Sequence, residues 1–151
     1  MSKLNLEIAS FCDAGIKAIN EDAVGYFQPE ESYLLESKGV SLVVSDGVST
    51  AEEGKEASET VVNGFIEEYY RTPDTWSVGH SGESILSTLN LKLYRKSHEF
   101  SDSKGFLCTF SALVIKGQTA HFFHVGDSRI YLLRKGELSQ LTSDHTAKIS
   151  D

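Results

Sequence analysis

The prediction of the fold starts from the segment Val43-Val44-Ser45-Asp46-Gly47-Val48-Ser49-Thr50. The apolar, mostly β-branched run that leads into it from Val40 predicts a buried strand that ends at an acidic residue. An aspartate at such a position is held rigidly, and a glycine after it lets another backbone come close. This is typical of a carboxylate that holds a cation or an attacking group, although Asp-Gly is also common in ordinary turns.

Composition limits the class of protein. The chain has 151 residues, which suits one domain with a real core, and 14 Lys+Arg against 22 Asp+Glu give a net charge of −8. This balance argues against nucleic acid or an anionic membrane as a partner, because both need a basic surface. Cys12 and Cys108 lack zinc spacing, and no apolar run is long enough to cross a membrane. We therefore expect a cytoplasmic protein with reduced thiols.

Two helices are predicted to follow this strand in the sequence. Apolar residues recur every four positions from Ala57 to Tyr69, which predicts an amphipathic helix of about five turns capped by Ser49 or Thr50. A second helix is predicted, because the apolar residues from Ile85 to Leu93 would lie on one face; it is expected to end near His98. The segments 29–39 and 71–82 are expected to be loops.

Strand patterns occur on both sides of the helices. Alternation predicts strands at 4–8 and 23–27 before them, and at 109–115, 120–125, 129–133 and 137–141 after them, with hairpin turns at Gly117 and Gly136. Thr109 and Ser111 are expected to pack and hydrogen-bond. The order of strands, helices and strands indicates an α+β fold with helices on antiparallel sheet.

Acidic residues stand at strand ends or turns in three places, namely Glu21-Asp22, Asp46 and Asp127. Oxygen-only ligands of this kind suit Mg²⁺ or Mn²⁺ rather than zinc. Two such ions that share a carboxylate can activate a water and hold a phosphate opposite it. Spacing alone leaves the hypothesis weak, because acids in loops are usually solvated.

The motifs around these acids are more specific. They are Asn20-Glu21-Asp22-Ala23, Val44-Ser45-Asp46-Gly47 and the long run from Val125-Gly126-Asp127-Ser128-Arg129 to Asp144-His145-Thr146. In this order they resemble the metal-dependent protein serine/threonine phosphatases of the type 2C family, in their bacterial form. The resemblance implies a four-layer antiparallel β-sandwich flanked by helices, with this chain incomplete at its C-terminus. The Val-Ser pair after Asp46-Gly47 is also similar to phosphatase domains fused to a protein kinase domain.

The resemblance implies a role for each acid. Asp46 would bridge two core Mg²⁺ or Mn²⁺ ions, and the carbonyl of Gly47 would bind one of them. Glu21 would bind the second ion, with Asp22 as a ligand directly or through water, and Asp127 would hold a weaker third ion. A hydroxide between the core ions would attack the phosphorus of a phosphoserine or phosphothreonine in line. The implied partners are a phosphoprotein substrate and a cognate protein kinase.

The chain departs from the family pattern in three ways. Lys17 stands where the family usually has the arginine that grips the phosphate, so the charge is kept but the bidentate fork is lost. Val48 stands where eukaryotic members have a histidine acid, which leaves protonation of the leaving group to metal-bound water. Two further metal-binding aspartates of the family have no match before Asp151. We therefore expect residues 1–151 to be the N-terminal portion of one phosphatase domain, with little activity as an isolated piece.

Other interpretations of these residues compete with this one. Asp144 and His145 could form a catalytic pair, but we expect Asp144 to hydrogen-bond its turn and Arg129 to be a structural partner of a carboxylate. A haloacid-dehalogenase-like phosphatase would need a second aspartate at position 48, which is Val48. A non-catalytic phosphatase-like domain that serves binding or regulation remains as the alternative.

Overall fold

A computed structural model describes residues 4–48, 52–99 and 106–146. Six strands and three helices lie within these ranges. Their bounds are β1 (Asp22–Phe27), α1 (Ser32–Lys38), β2 (Val40–Asp46), α2 (Glu52–Tyr69), α3 (Val78–Glu99), β3 (Phe110–Lys116), β4 (Thr119–Val125), β5 (Tyr131–Arg134) and β6 (Glu137–Gln140). The capping residues predicted at Ser49 and Thr50 lie outside the described residues.

Four of the strands form one antiparallel sheet in the order β1-β2-β3-β4. The predicted hairpin at Gly117 joins β3 to β4, and this glycine has a φ of 62°. β5 and β6 form a separate antiparallel ribbon whose turn places Lys135 and Gly136 at φ values of 52° and 78°. Two consecutive residues with positive φ match the twist of flanking strands, which is why a Lys-Gly turn closes this hairpin. The predicted α+β class with antiparallel sheet is confirmed.

The core lies between one face of the sheet and the two long helices. Phe65 of α2 is completely buried and its ring lies 5.2 Å from that of Phe110 and 5.9 Å from that of Phe123. Aromatic pairs at these distances add to the stabilisation that burial alone provides. The apolar stripe predicted for α2 is therefore the face that the helix packs on β1 and β2.

Two predictions for the first third of the chain are wrong. Residues 4–8 have no regular secondary structure: a strand needs a hydrogen-bonded neighbour, and this segment is paired with none of the described strands, although Ile8 lines a cavity beside the outer face of the sheet. The loop predicted at 29–39 contains α1, which is too short for periodicity to reveal. Its buried Lys38 donates to the carbonyl oxygens of Thr72 and Pro73, at 2.6 and 3.3 Å, so tertiary contacts fix this helix.

The loop predicted at 71–82 is also shorter than expected, because α3 already begins at Val78. Glycine usually weakens a helix, and Gly79 and Gly82 suggested a loop for that reason. At Gly82 the absent side chain is needed, since a Cβ atom there would overlap the ring of Phe123 on β4. Close packing of helix on sheet therefore overrides local propensity.

The outer face of the sheet is partly exposed. Val44, Tyr26 and Phe122 are 40–47% exposed there, and a shallow cavity of about 320 Å³ separates this face from residues 8–11 and Ile130. Of the predicted four layers, the described residues contain one helix layer, one sheet and the β5–β6 ribbon. Within these residues, no helix is long and apolar enough to cross a membrane.

Candidate metal and phosphate site

Asp46 and Asp22 face each other at the end of two neighbouring strands. They are direct partners in the antiparallel register of β1 and β2, so their side chains point to the same side of the sheet. Both line a cleft of about 390 Å³ together with Cys12, Asp13 and Ser128. Register therefore brings together two acids that are 24 residues apart in sequence.

Partial burial and neighbouring charges act on the carboxyl group of Asp46. Burial is the largest cause, followed by the Asp22 carboxyl and the negative charge of Asp127, and together they raise the pKa of Asp46 from 3.8 to about 6. The positive charge of Lys17 acts in the opposite direction. Lys17, Asp22 and Asp127 therefore all lie near enough to act on Asp46.

Hydrogen bonds to the Glu21 carbonyl and close backbone packing at Gly47 fix the positions of these two residues. The Gly47 amide and the buried Ser58 hydroxyl both donate to the carbonyl oxygen of Glu21, at 3.0 and 2.6 Å. A Cβ atom at Gly47 would overlap the carbonyl of Gly54 on α2, so glycine is required for the close approach that Asp-Gly predicted. Glu21 is only 7% exposed, directly before β1. Its role as a metal ligand, and that of the Gly47 carbonyl, remain predictions.

Through its hydroxyl, Thr109 links the end of β2 at Asp46 to Ser128, the residue after Asp127. Its hydroxyl accepts a hydrogen bond from the Asp46 amide at 2.9 Å and lies 2.6 Å from the Ser128 hydroxyl, beside Asp127. Its own amide donates to the Asp46 carbonyl at 2.8 Å. Packing and hydrogen bonding were expected of Thr109, but its link to Asp46 spans 63 residues and needs the β2–β3 pairing to become visible.

The loop that carries Asp127 is braced from the C-terminal side. Arg129 binds both oxygens of the Asp144 carboxylate, at 2.9 and 2.7 Å, and thereby lowers the pKa of Asp144. This confirms Arg129 as the structural partner of a carboxylate. Asp144 does not pair with His145 in the manner of a catalytic dyad, because its carboxylate is engaged by Arg129 and Gln140.

The donor set fits a divalent cation in part. Two carboxylates that face each other repel when both are charged, and a divalent cation held between them would relieve that repulsion. Asp22 and Asp46 are such a pair, because they are register partners on β1 and β2. Within residues 4–48, 52–99 and 106–146, however, no three potential ligand side chains converge on one point. Among these residues the two aspartates therefore form a carboxylate pair and not a closed ligand set.

Comparison with known proteins identifies the family. The family described as "Protein phosphatase 2C" matches residues 17–151. The chain is 30% identical over 146 residues to the protein phosphatase PhpP of Streptococcus pneumoniae, a match that covers 93% of this chain and 56% of PhpP. It is 27% identical over 139 residues to the serine/threonine phosphatase stp of Listeria monocytogenes, a match that covers 87% of this chain and 51% of that protein.

Comparison with solved structures also finds serine/threonine phosphatases. The serine/threonine phosphatase PstP of Mycobacterium tuberculosis superimposes with a TM-score of 0.69 at 26% identity, over 85% of this chain and 50% of that one. A catalytic domain of PstP solved with two manganese ions gives a TM-score of 0.69 at 27% identity, over 85% and 51%. The described residues therefore have the fold of the N-terminal half of these serine/threonine phosphatases. The chain belongs to the protein phosphatase 2C family, and it spans about half the length of the relatives it matches.

Proposed function

We propose that the protein containing this chain hydrolyses phosphoserine and phosphothreonine in proteins with the help of Mg²⁺ or Mn²⁺. The observation that carries the proposal is the carboxyl pair of Asp22 and Asp46, which are register partners on β1 and β2 and line the same cleft. The relatives named as serine/threonine phosphatases support it, and one was solved with two manganese ions. Residues 1–151 would form the N-terminal portion of the phosphatase domain.

Each site residue then has a task. Asp46 and Asp22 would hold the ions with Glu21 and the Gly47 carbonyl, and Asp127 would hold a weaker third ion. Bound ions of this kind supply an activated water and neutralise the charge of the phosphate. Lys17 would orient the phosphate as a point charge, with less geometric control than an arginine fork provides.

The partners follow from this chemistry. A phosphoprotein is the proposed substrate, and the protein kinase that phosphorylates it is the proposed second partner. Cys12 and Cys108 are both free, which agrees with the reducing conditions of the cytoplasm. The proposed location is therefore the cytoplasm, where the protein would act in a phosphorylation signalling system.

The test uses the full-length protein that contains this chain. Mn²⁺ or Mg²⁺ should support hydrolysis of a phosphothreonine peptide, EDTA should abolish it, and Asp46→Asn should reduce it by at least about a hundredfold, as the loss of a metal ligand predicts. Glu83→Gln, which changes an exposed carboxylate on α3, serves as the control. Full activity in Asp46→Asn would refute the assignment of Asp46.

A non-catalytic, phosphatase-like binding domain is the second candidate. Two observations favour it: Lys17 in place of the family's arginine, and the absence of three converging ligand side chains within the described residues. Calorimetry with Mn²⁺ separates the candidates. Tight two-site binding that Asp46→Asn abolishes supports the enzyme, and no binding by the full-length protein supports the regulatory domain.

A further inference from the structure

The segment Ser143-Asp144-His145 lies against the loop that carries Asp127. The His145 amide donates to the Gly126 carbonyl at 2.8 Å, and the Gly126 amide donates to Nδ1 of the His145 ring at 3.2 Å. His124, on β4 just before the loop, contacts the Ser143 carbonyl with its Nε2 at 3.1 Å. The segment therefore holds both the loop and the strand end that leads into it.

The contacts of the two rings define how individual nitrogens act. Nε2 of His124 donates to the Ser143 carbonyl oxygen, which can only accept, and its Nδ1 lies 2.8 Å from the Ser111 hydroxyl. Nδ1 of His145 accepts the Gly126 amide proton and therefore carries no proton of its own. The two rings lie 5.0 Å apart.

The opposite side of the loop rests on Thr109. Gly126 has a φ of 108°, and a Cβ atom there would crowd the Thr109 side chain at 2.7 Å. The Thr109 hydroxyl meets the Ser128 hydroxyl at 2.6 Å. Thr109 and His145 therefore contact the loop at residues 126–128 from two sides.

We propose that His145 is a positioning residue for Asp127. Its bare Nδ1 binds the Gly126 amide, and this bond orients the backbone that leads into Asp127, so the Asp127 carboxylate is directed toward the cleft that contains Asp46. His145 itself touches no reacting group. The role for Asp127 rests on the proposed function, whereas the bond between His145 and Gly126 is tested independently of it.

The first test is nuclear magnetic resonance on the full-length protein without added metal. Nδ1 of His145 should have the nitrogen shift of an unprotonated ring nitrogen. In His145→Ala the Gly126 amide should exchange with solvent about two- to tenfold faster, as the loss of one hydrogen bond predicts. In His145→Asn the side-chain oxygen takes the place of Nδ1 and should restore protection. His121→Ala, which removes an imidazole from β4, should leave Gly126 unchanged.

The second test is a double-mutant cycle with Mn²⁺ and a phosphopeptide. His145→Ala should lower kcat/KM several-fold at subsaturating Mn²⁺, and His145→Asn should recover most of it. In an Asp127→Asn background, His145→Ala should have no further effect, because the residue it positions is gone. A merely structural role would lower kcat/KM by the same factor in both backgrounds.

The outcomes separate the two claims. A protonated Nδ1, or unchanged Gly126 exchange in His145→Ala, would overturn the bond and with it the positioning role. An equal effect of His145→Ala with and without Asp127 would overturn the role of Asp127. A wild-type protein that hydrolyses no phosphopeptide would refute the proposed function, while the exchange data would still decide whether His145 holds the loop.

Discussion

Replacing Asp46 by asparagine is expected to stabilise the ion-free fold at neutral pH while it removes activity. The pKa of Asp46 is about 6 in the folded protein, and the ordinary value is 3.8. The folded state therefore holds this proton to higher pH than the unfolded chain does. The free energy of unfolding of the wild type falls as pH rises from about 4 to about 6, and the loss is complete above that range.

The magnitude follows from the two pKa values. Their difference corresponds to about 3 kcal/mol, at about 1.36 kcal/mol for each pH unit. Asp46 is only partly buried, so water and relaxation reduce this upper value to about 1–2 kcal/mol. An asparagine at this position avoids the penalty, and its amide can donate to the Asp22 carboxylate.

The assay is urea unfolding in EDTA at several pH values. Asp46→Asn should exceed the wild type by about 1–2 kcal/mol at about pH 8 and approach it near about pH 3, where the wild-type carboxyl is largely protonated in both states. Glu83→Gln, an exposed change on α3, should show no comparable trend. An Asp46→Asn protein that is less stable than wild type at the higher pH, or a difference that does not vary with pH, would refute the electrostatic explanation.

Three further sets of substitutions test the packing of α3 on the sheet, the hydrogen bond between Thr109 and Asp46, and the phosphate contact proposed for Lys17. Gly82→Ala should destabilise the fold by about 1–3 kcal/mol in urea, because its methyl group meets the Phe123 ring, whereas Gly79→Ala has open space and should cost nothing. Thr109→Val leaves the Asp46 amide without its acceptor and should cost about 1–3 kcal/mol, and Thr109→Ser should recover most of this; equal losses would contradict the hydroxyl's role. Lys17→Arg should lower KM for a phosphopeptide with kcat little changed, and a raised KM would argue against phosphate contact at this position.

Much of the architecture follows from local sequence patterns. The stripe from Ala57 to Tyr69 predicts α2 because its period matches a helix that buries one face. Gly117 and Gly136 predict two hairpin turns because glycine adopts positive φ without strain, and both have positive φ in the structure. Local signals fail where long-range contacts decide, as in α1, in residues 4–8 and at the beginning of α3.

For the candidate site, too, some features follow from the local sequence and others only from long-range contacts. Strand-end position and motif wording are enough to single out Asp46, Asp22 and Asp127. The hydrogen bonds of Thr109 to Asp46 and of His145 to Gly126 are not visible in the sequence, because each joins residues that the sheet or a loop brings together. Hydroxyl and imidazole groups also occur in many unrelated roles, so residue type alone does not mark them.

Periodicity, turn chemistry and motif order within short segments are therefore enough to assign the family, the α+β class and the acids that could hold an ion. The three-dimensional arrangement was needed to find that Asp22 is the register partner of Asp46, that this environment raises the pKa of Asp46, and that Thr109 and His145 contact the Asp127 loop from two sides. This is because pKa values and side-chain orientation depend on burial and on neighbours distant in sequence. Those neighbours are fixed by the antiparallel pairing of β1, β2 and β3.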